Sequence, residues 1–147
     1  MRSARNIRDM IAETPTGEIL YRLDLAEPSL RRKLVRELGR RRDLGEDSLA
    51  RLAQLLRAPE PEIRAAAADA VADVGDMGRF VEDVGAALAE NLRNPHSPTW
   101  LRDTCAYAAG RLGAEAAREP LLSALADPAP TVRACAAAGL AQLGGAD

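Results

Sequence analysis

Leu121-Leu122-Ser123-Ala124-Leu125-Ala126-Asp127-Pro128-Ala129-Pro130-Thr131-Val132-Arg133, running on to Leu140-Ala141-Gln142-Leu143-Gly144, reads as two helices joined by a turn. Leu121, Leu122 and Leu125 belong to the helical run ahead of the turn. Pro128 and Pro130 break that helix, and Pro130 suits the first turn of the next, where its missing N–H costs nothing. Val132, Ala136, Leu140 and Leu143 then recur at helical spacing as one apolar stripe. Gly144 supplies the residue that most easily ends a helix in the left-handed conformation.

The same pattern occurs three more times. Pro61-Glu62-Ile63-Arg64 leads to Val74-Gly75, and Pro98-Thr99-Trp100-Leu101-Arg102 leads to Leu112-Gly113. In these copies, as in the first, the glycine stands 11 residues after the arginine. Pro28-Ser29-Leu30-Arg31 opens a weaker copy in which Arg42 replaces the closing glycine. The apolar stripe is Ile63, Ala67, Val71, Val74 in one copy and Leu101, Cys105, Ala109, Leu112 in another. A helical run precedes each copy: Ile19 to Leu25, Leu49 to Leu56, Phe80 to Leu92, and Leu121 to Leu125. A single helix pair cannot bury its apolar face, whereas stacked pairs can. The expected fold is therefore all-α, a right-handed solenoid of about four helix–turn–helix repeats. They fall at about 16–43, 46–75, 78–113 and 115–144 within a domain of 16–147. Residues 1–15 read either as a short capping helix (Ile7, Met10, Ile11) or as a frayed terminus.

Composition agrees. The 147 residues include 30 alanines and only four aromatics, Tyr21, Phe80, Trp100 and Tyr107. Alanine favours helix and lets helices approach closely. The net charge is -2, but residues 1–42 carry +5 and residues 43–147 carry -7. Lys33 is the only lysine among 20 basic residues, a usage that fits a GC-rich bacterial genome. Two cysteines make no disulfide framework, and Cys105 and Cys135 read as reduced residues inside helices. No secretory pattern opens the chain, and no stretch nears the roughly 20 apolar residues of a membrane span. A cytoplasmic location is the expectation.

The repeats resemble the HEAT-repeat family in its short bacterial, bilin-lyase-like form, over about residues 16–145. In that family a turn aspartate and an arginine early in the second helix bond between neighbouring repeats as a ladder. The resemblance assigns Asp127 and Arg133 to that pattern, with Arg102 and Arg64 as equivalent arginines. It gives Asn94 and Asp24 as looser matches and leaves Ala58 as a break before Arg64. It also implies that the second helices line a concave surface.

Catalytic patterns are thin. His96, the only histidine, sits in a Pro-bounded turn without a Ser/Asp or Cys partner at motif spacing. One His and two helix-borne Cys make no zinc site. Single glycines at helix ends form no phosphate-cradling loop. A protein that is not an enzyme, and has no cofactor or metal, is the expectation.

Binding patterns are richer. Opposite the apolar stripe lie positions +1, +5 and +8 or +9 from each arginine. These are Ala65, Asp69, Ala72 and Asp73 in one copy, Asp103, Tyr107, Gly110 and Arg111 in the next, and Ala134, Ala138, Ala141 and Gln142 in the last. Asp69, Asp73, Asp103, Tyr107 and Arg111 would cluster in one groove, and Tyr and Arg are favoured anchors. Trp100 reads as an exposed hot spot or as a ring folded under the neighbouring repeat. Arg32, Arg36 and Arg40 share a helix face and read as a contact for phosphate or an acidic partner, or as a solvated face. The function expected is a scaffold or adaptor that binds another protein on the concave surface. The alternative is nucleic-acid binding through the N-terminal arginines; DNA-repair glycosylases exist in the family, but the groove is acidic. A third possibility is an enzyme accessory like the bilin lyases, though no pigment site is identifiable. The last repeat, with Leu121, Leu125, Val132 and Leu140, would leave an apolar edge that favours a homodimer.

Overall fold

The computed structural model describes residues 6–144. Among them are nine α-helices and no strand: α1 (Ile7–Glu13), α2 (Thr16–Leu23), α3 (Pro28–Arg40), α4 (Glu46–Leu55), α5 (Pro61–Val74), α6 (Val81–Arg93), α7 (Thr99–Leu112), α8 (Arg118–Ala124) and α9 (Pro130–Gln142). Short 3₁₀ turns, Gly78–Phe80 and Glu115–Ala117, lead into α6 and α8. The helices pair as α2/α3, α4/α5, α6/α7 and α8/α9. The second helices α3, α5, α7 and α9 pack consecutively in one layer. The first helices α4, α6 and α8 form the other, and the molecule is an α-solenoid.

The boundaries follow from local chemistry. Pro28, Pro61 and Pro130 occupy the first turns of α3, α5 and α9. Gly75 and Gly113 end α5 and α7 with φ of 78° and 65°, where a side chain would be strained. At the end of α3 the chain leaves in extended conformation at Arg41 instead. Arg41 then turns back: its guanidinium donates to Glu37 Oε2 at 2.7 Å, to the Ile11 carbonyl at 3.0 Å and to Thr16 Oγ1 at 3.2 Å. That network fills the place of the missing glycine and ties α1 to α3. Of the segment 1–15, residues 1–5 lie outside the described residues; Ile7–Glu13 form a short helix with Ile11 buried against α3.

A second helix in this layer has neighbours on three sides, so a single stripe undercounts its burial. In α5, Ile63, Ala67 and Val71 are buried as expected, but so are Ala65, Ala66, Ala68, Ala70 and Ala72. Small residues let backbones touch. A Cβ on Gly39 would stand 2.6 Å from Ala70 Cα, and one on Gly110 would stand 2.4 Å from Gly139 Cα. Large side chains fill the space between layers: Ile19, Leu38, Leu52, Leu56, Leu88, Leu101 and Leu121 are fully buried. Each such residue contributes about 1.5–3 kcal/mol by leaving water.

The last repeat corrects one expectation. Leu121 and Val132 are fully buried and Leu140 is half-buried, because α8 and α9 turn their leucines toward each other and toward α7. Of the expected edge only Leu125, just past the end of α8, is exposed, and Leu122 on α8 is exposed with it. The outer side of α9 presents alanines: Ala134, Ala137, Ala138 and Ala141.

Candidate interaction surface

Four arginines hold equivalent places on successive second helices, and each grips the turn before its own helix. Arg31 donates to the Leu23 and Ala26 carbonyls, and Arg64 to those of Ala58 and Pro59. Arg102 donates to the Ser97 carbonyl, and Arg133 to those of Asp127 and Pro128. Three of them also reach forward into the next repeat. Arg31 meets Glu60 at 3.2 Å, Arg64 meets Asn91 Oδ1 at 2.8 Å, and Arg102 meets both Asp127 oxygens at 3.0 Å. The Asp127 carboxylate thus belongs to Arg102, not to Arg133. The Arg102 hydrogen bond holds the Asp127 carboxyl below the usual carboxylate range, against the opposing effect of burial and aided by the Ala129 N–H.

The ladder departs from sequence expectation at three places. It is unbroken before Arg64, since Glu60 takes the role that Ala58 cannot. Asn91, on α6, replaces Asn94, which caps its own turn by accepting from the His96 N–H. The Asn91 amide also donates to the Leu56 and Ala87 carbonyls and is buried. Asp24 pairs instead with Arg51 of α4. Equivalent spacing pointed to the turn; the long arginine side chain finds an acceptor nearby on whichever element offers one.

The open face of the layer carries the residues at +1, +5 and +9 from these arginines. On α3 these are Arg32, Arg36 and Arg40, all exposed. On α5 only Asp69 and Asp73 remain open, because Ala65 and Ala72 are buried against neighbouring helices. On α7, Asp103, Tyr107 and Arg111 share one face at four-residue spacing, while Gly110 is buried on α9. Arg36 approaches Asp69 at 3.8 Å, and Arg111 Nε donates to the Ala72 carbonyl at 3.3 Å. The Asp69 carboxyl is raised first by burial and then by Asp73 and Asp103, with Arg36 opposing. Asp73 and Asp103 thus each lie close enough to act on Asp69. Tyr107 is 45% exposed, a large amphipathic ring left open among charges. Arg40 lies 3.8 Å from Glu37.

Trp100 is half-exposed at 47%, at the place held by Glu62 and Thr131 in other repeats, so its ring is not folded under a neighbour. His96 is exposed beside it in sequence. Cys105 is fully buried, which pushes its thiol up to about 12, and Cys135 is half-buried. Among the described residues, no three His, Cys, Asp or Glu side chains are grouped to share a metal ion. No helix among them is long and apolar enough to cross a membrane.

Stacked helix pairs define a class of repeat protein, the α-solenoids. The chain belongs to the HEAT-repeat family, whose model matches residues 18–100 and 85–147. Among solved structures it is similar to human deoxyhypusine hydroxylase in complex with glycerol, at 22% identity and a TM-score of 0.69. That match covers 89% of this chain and 44% of the hydroxylase, so the chain spans less than half of that protein. It is also similar to an engineered protein, at 17% identity and a TM-score of 0.62, covering 92% of this chain and 70% of the other. No protein of curated function matches. At these identities the likeness carries the fold. It also corrects one expectation. The sequence suggested a protein that is not an enzyme, yet a hydroxylase is built on this kind of solenoid. Helical-repeat architecture and a missing triad do not argue against catalysis.

Proposed function

We propose that the chain works as a binding scaffold that takes another protein on the open face of its second helices. The observation that carries this reading is the half-exposed Asp69, with Asp73 and Asp103 close enough to act on it, and an exposed Tyr107 one turn after Asp103 on α7. Like charges held together on a half-buried face work against folding, and such arrangements concentrate at functional sites. An aromatic ring on a rigid helix offers contact area at little entropic cost. The concave curvature that the family resemblance implies would bring these helices around a convex or extended partner.

The arrangement of charge favours a protein over a nucleic acid. Arg36 and Arg40 each have a carboxylate within 3.8 Å, and the adjacent helix is acidic. A phosphate backbone crossing this face would meet repulsion one helix further on. A cytoplasmic setting belongs to the same proposal, since both cysteines are free thiols.

Affinity capture with quantitative mass spectrometry tests it. Wild type is compared with a folded Asp69→Lys/Asp73→Lys variant and with Tyr107→Ala. Bound proteins should fall about tenfold or more with either variant, the loss of one interface anchor. An unchanged set of bound proteins removes this face from the function.

A further inference from the structure

The positions +2 and +6 from the ladder arginine face the preceding second helix. They are Ala66 and Ala70 on α5, Thr104 and Ala108 on α7, and Cys135 and Gly139 on α9. Gly39 rests on Ala70, and Gly110 rests on Gly139. On α3 the same two positions are Lys33 and Glu37. Among the described residues, what stands in front of α3 is the seven-residue α1, which covers it only in part. A cleft of ≈ 180 Å³ remains between them, lined by Arg8, Ile11, Lys33, Arg36, Glu37 and Arg40.

Its charge has one sign to offer. Glu37 is committed to Arg41 at 2.7 Å. Arg8 and Lys33 make no ion pair among the described residues. Arg36 and Arg40 have only the 3.8 Å approaches already described and are half-exposed, so those pairs are easily exchanged. A face built merely to keep the front of a solenoid soluble would mix signs. Here four cations surround an opening with the apolar Ile11 at its base.

We infer that this cleft is a second docking site, for an acidic amphipathic segment of a partner protein. One apolar side chain of that segment enters against Ile11, and flanking Asp or Glu carboxylates meet Arg8, Lys33, Arg36 and Arg40. The volume argues for a peptide over a small molecule. Small-molecule sites run to about 300–1,000 Å³, whereas this cleft admits a single large side chain. The neighbouring Asp69 argues against a nucleic acid, whose charge continues beyond the cleft, while a short segment can end there. The inference rests on the scaffold reading above and adds a cleft at the front edge of that face, which shares Arg36 and Arg40 with it and is set apart by Arg8, Ile11 and Lys33.

Random dodecapeptides displayed on phage are selected on the full chain, with no counter-selection on any variant. The best synthetic peptide is then titrated by fluorescence anisotropy at about 0.15 M salt. The expected consensus is one large apolar residue flanked by Asp or Glu. Affinity should fall about tenfold or more in Lys33→Glu, and equally when the apolar residue becomes alanine. Tyr107→Ala should leave it unchanged. If Lys33→Glu fails to fold by circular dichroism, Lys33→Gln serves, with a smaller loss in the same direction. The proposal is overturned by the lack of any consensus or by a peptide indifferent to Lys33. A DNA duplex that binds more tightly than the peptide also overturns it. A peptide sensitive to Tyr107 and not to Lys33 overturns the cleft while leaving the scaffold reading in place.

Discussion

The junction of α7 with α9 and the junction of α1 with α3 are made of opposite materials. At the rear, Gly110 lies on Gly139 and Arg102 clasps Asp127 with two hydrogen bonds at 3.0 Å. At the front, α1 reaches α3 through Ile11 and the Arg41 network, and cations border the gap. One junction is closed by backbone touching backbone, the other is left open by long charged side chains. Stability should therefore concentrate at the rear, and capacity for binding at the front.

The largest effect should come from Asp127→Ala, which strips Arg102 of its carboxylate and the Ala129 N–H of its acceptor. Urea unfolding at pH 7 should show a loss of about 2–4 kcal/mol. Because the folded Asp127 carboxyl is depressed, its contribution is complete above the ordinary carboxylate pKa of about 4 and is lost as pH falls through the lower folded value. A difference between wild type and variant that stays constant through that acid range would contradict the pairing.

Gly110→Ala comes next. Alanine is the better helix former by about 1 kcal/mol, yet its Cβ would meet Gly139 Cα at 2.4 Å. A net loss of about 1–3 kcal/mol is expected from the forced separation of α7 and α9. Gly17→Ala on α2, where nothing lies within 4 Å, should be neutral or stabilise by up to about 1 kcal/mol. If both variants melt alike, close approach at the rear junction is not what holds it.

The smallest effect has the opposite sign. Asp69 is raised, first by burial, so its ionised form is disfavoured in the folded chain. Asp69→Asn should stabilise at pH 7 by less than about 1 kcal/mol, since the side chain is 44% exposed and well screened. The gain should vanish below the ordinary carboxylate pKa of about 4, where both states are protonated, and grow as pH rises through the raised folded value. Destabilisation at pH 7 would mean that the Arg36 pair outweighs burial.

The fold was legible because its signals are local. Pro61, Pro98 and Pro130, the arginines that follow, and Gly75, Gly113 and Gly144 punctuate the helices within a single repeat. The surface was legible only in part. Asp73 and Asp103 each lie close enough to Asp69 to act on it. Ala65 and Ala72 do not join them, because a middle helix in a layer is covered from both sides, and one helix's periodicity cannot report its neighbours. The forward acceptors Glu60 and Asn91 were missed, since a flexible arginine chooses among elements that sequence spacing does not place together. The cleft carried a signal that was available: superposing the repeats puts Lys33 and Glu37 where every other copy has a small or short side chain.

The four arginines that clasp the turns take hold of carbonyl oxygens, which every residue possesses. Leu23 and Ala26, Ala58 and Pro59, Ser97, and Asp127 and Pro128 have little else in common. The turns are consequently released from spelling out any motif. Loops of unequal length can drift in wording while the pitch of the stack is kept, because the grammar of the repeat is written in its main chain.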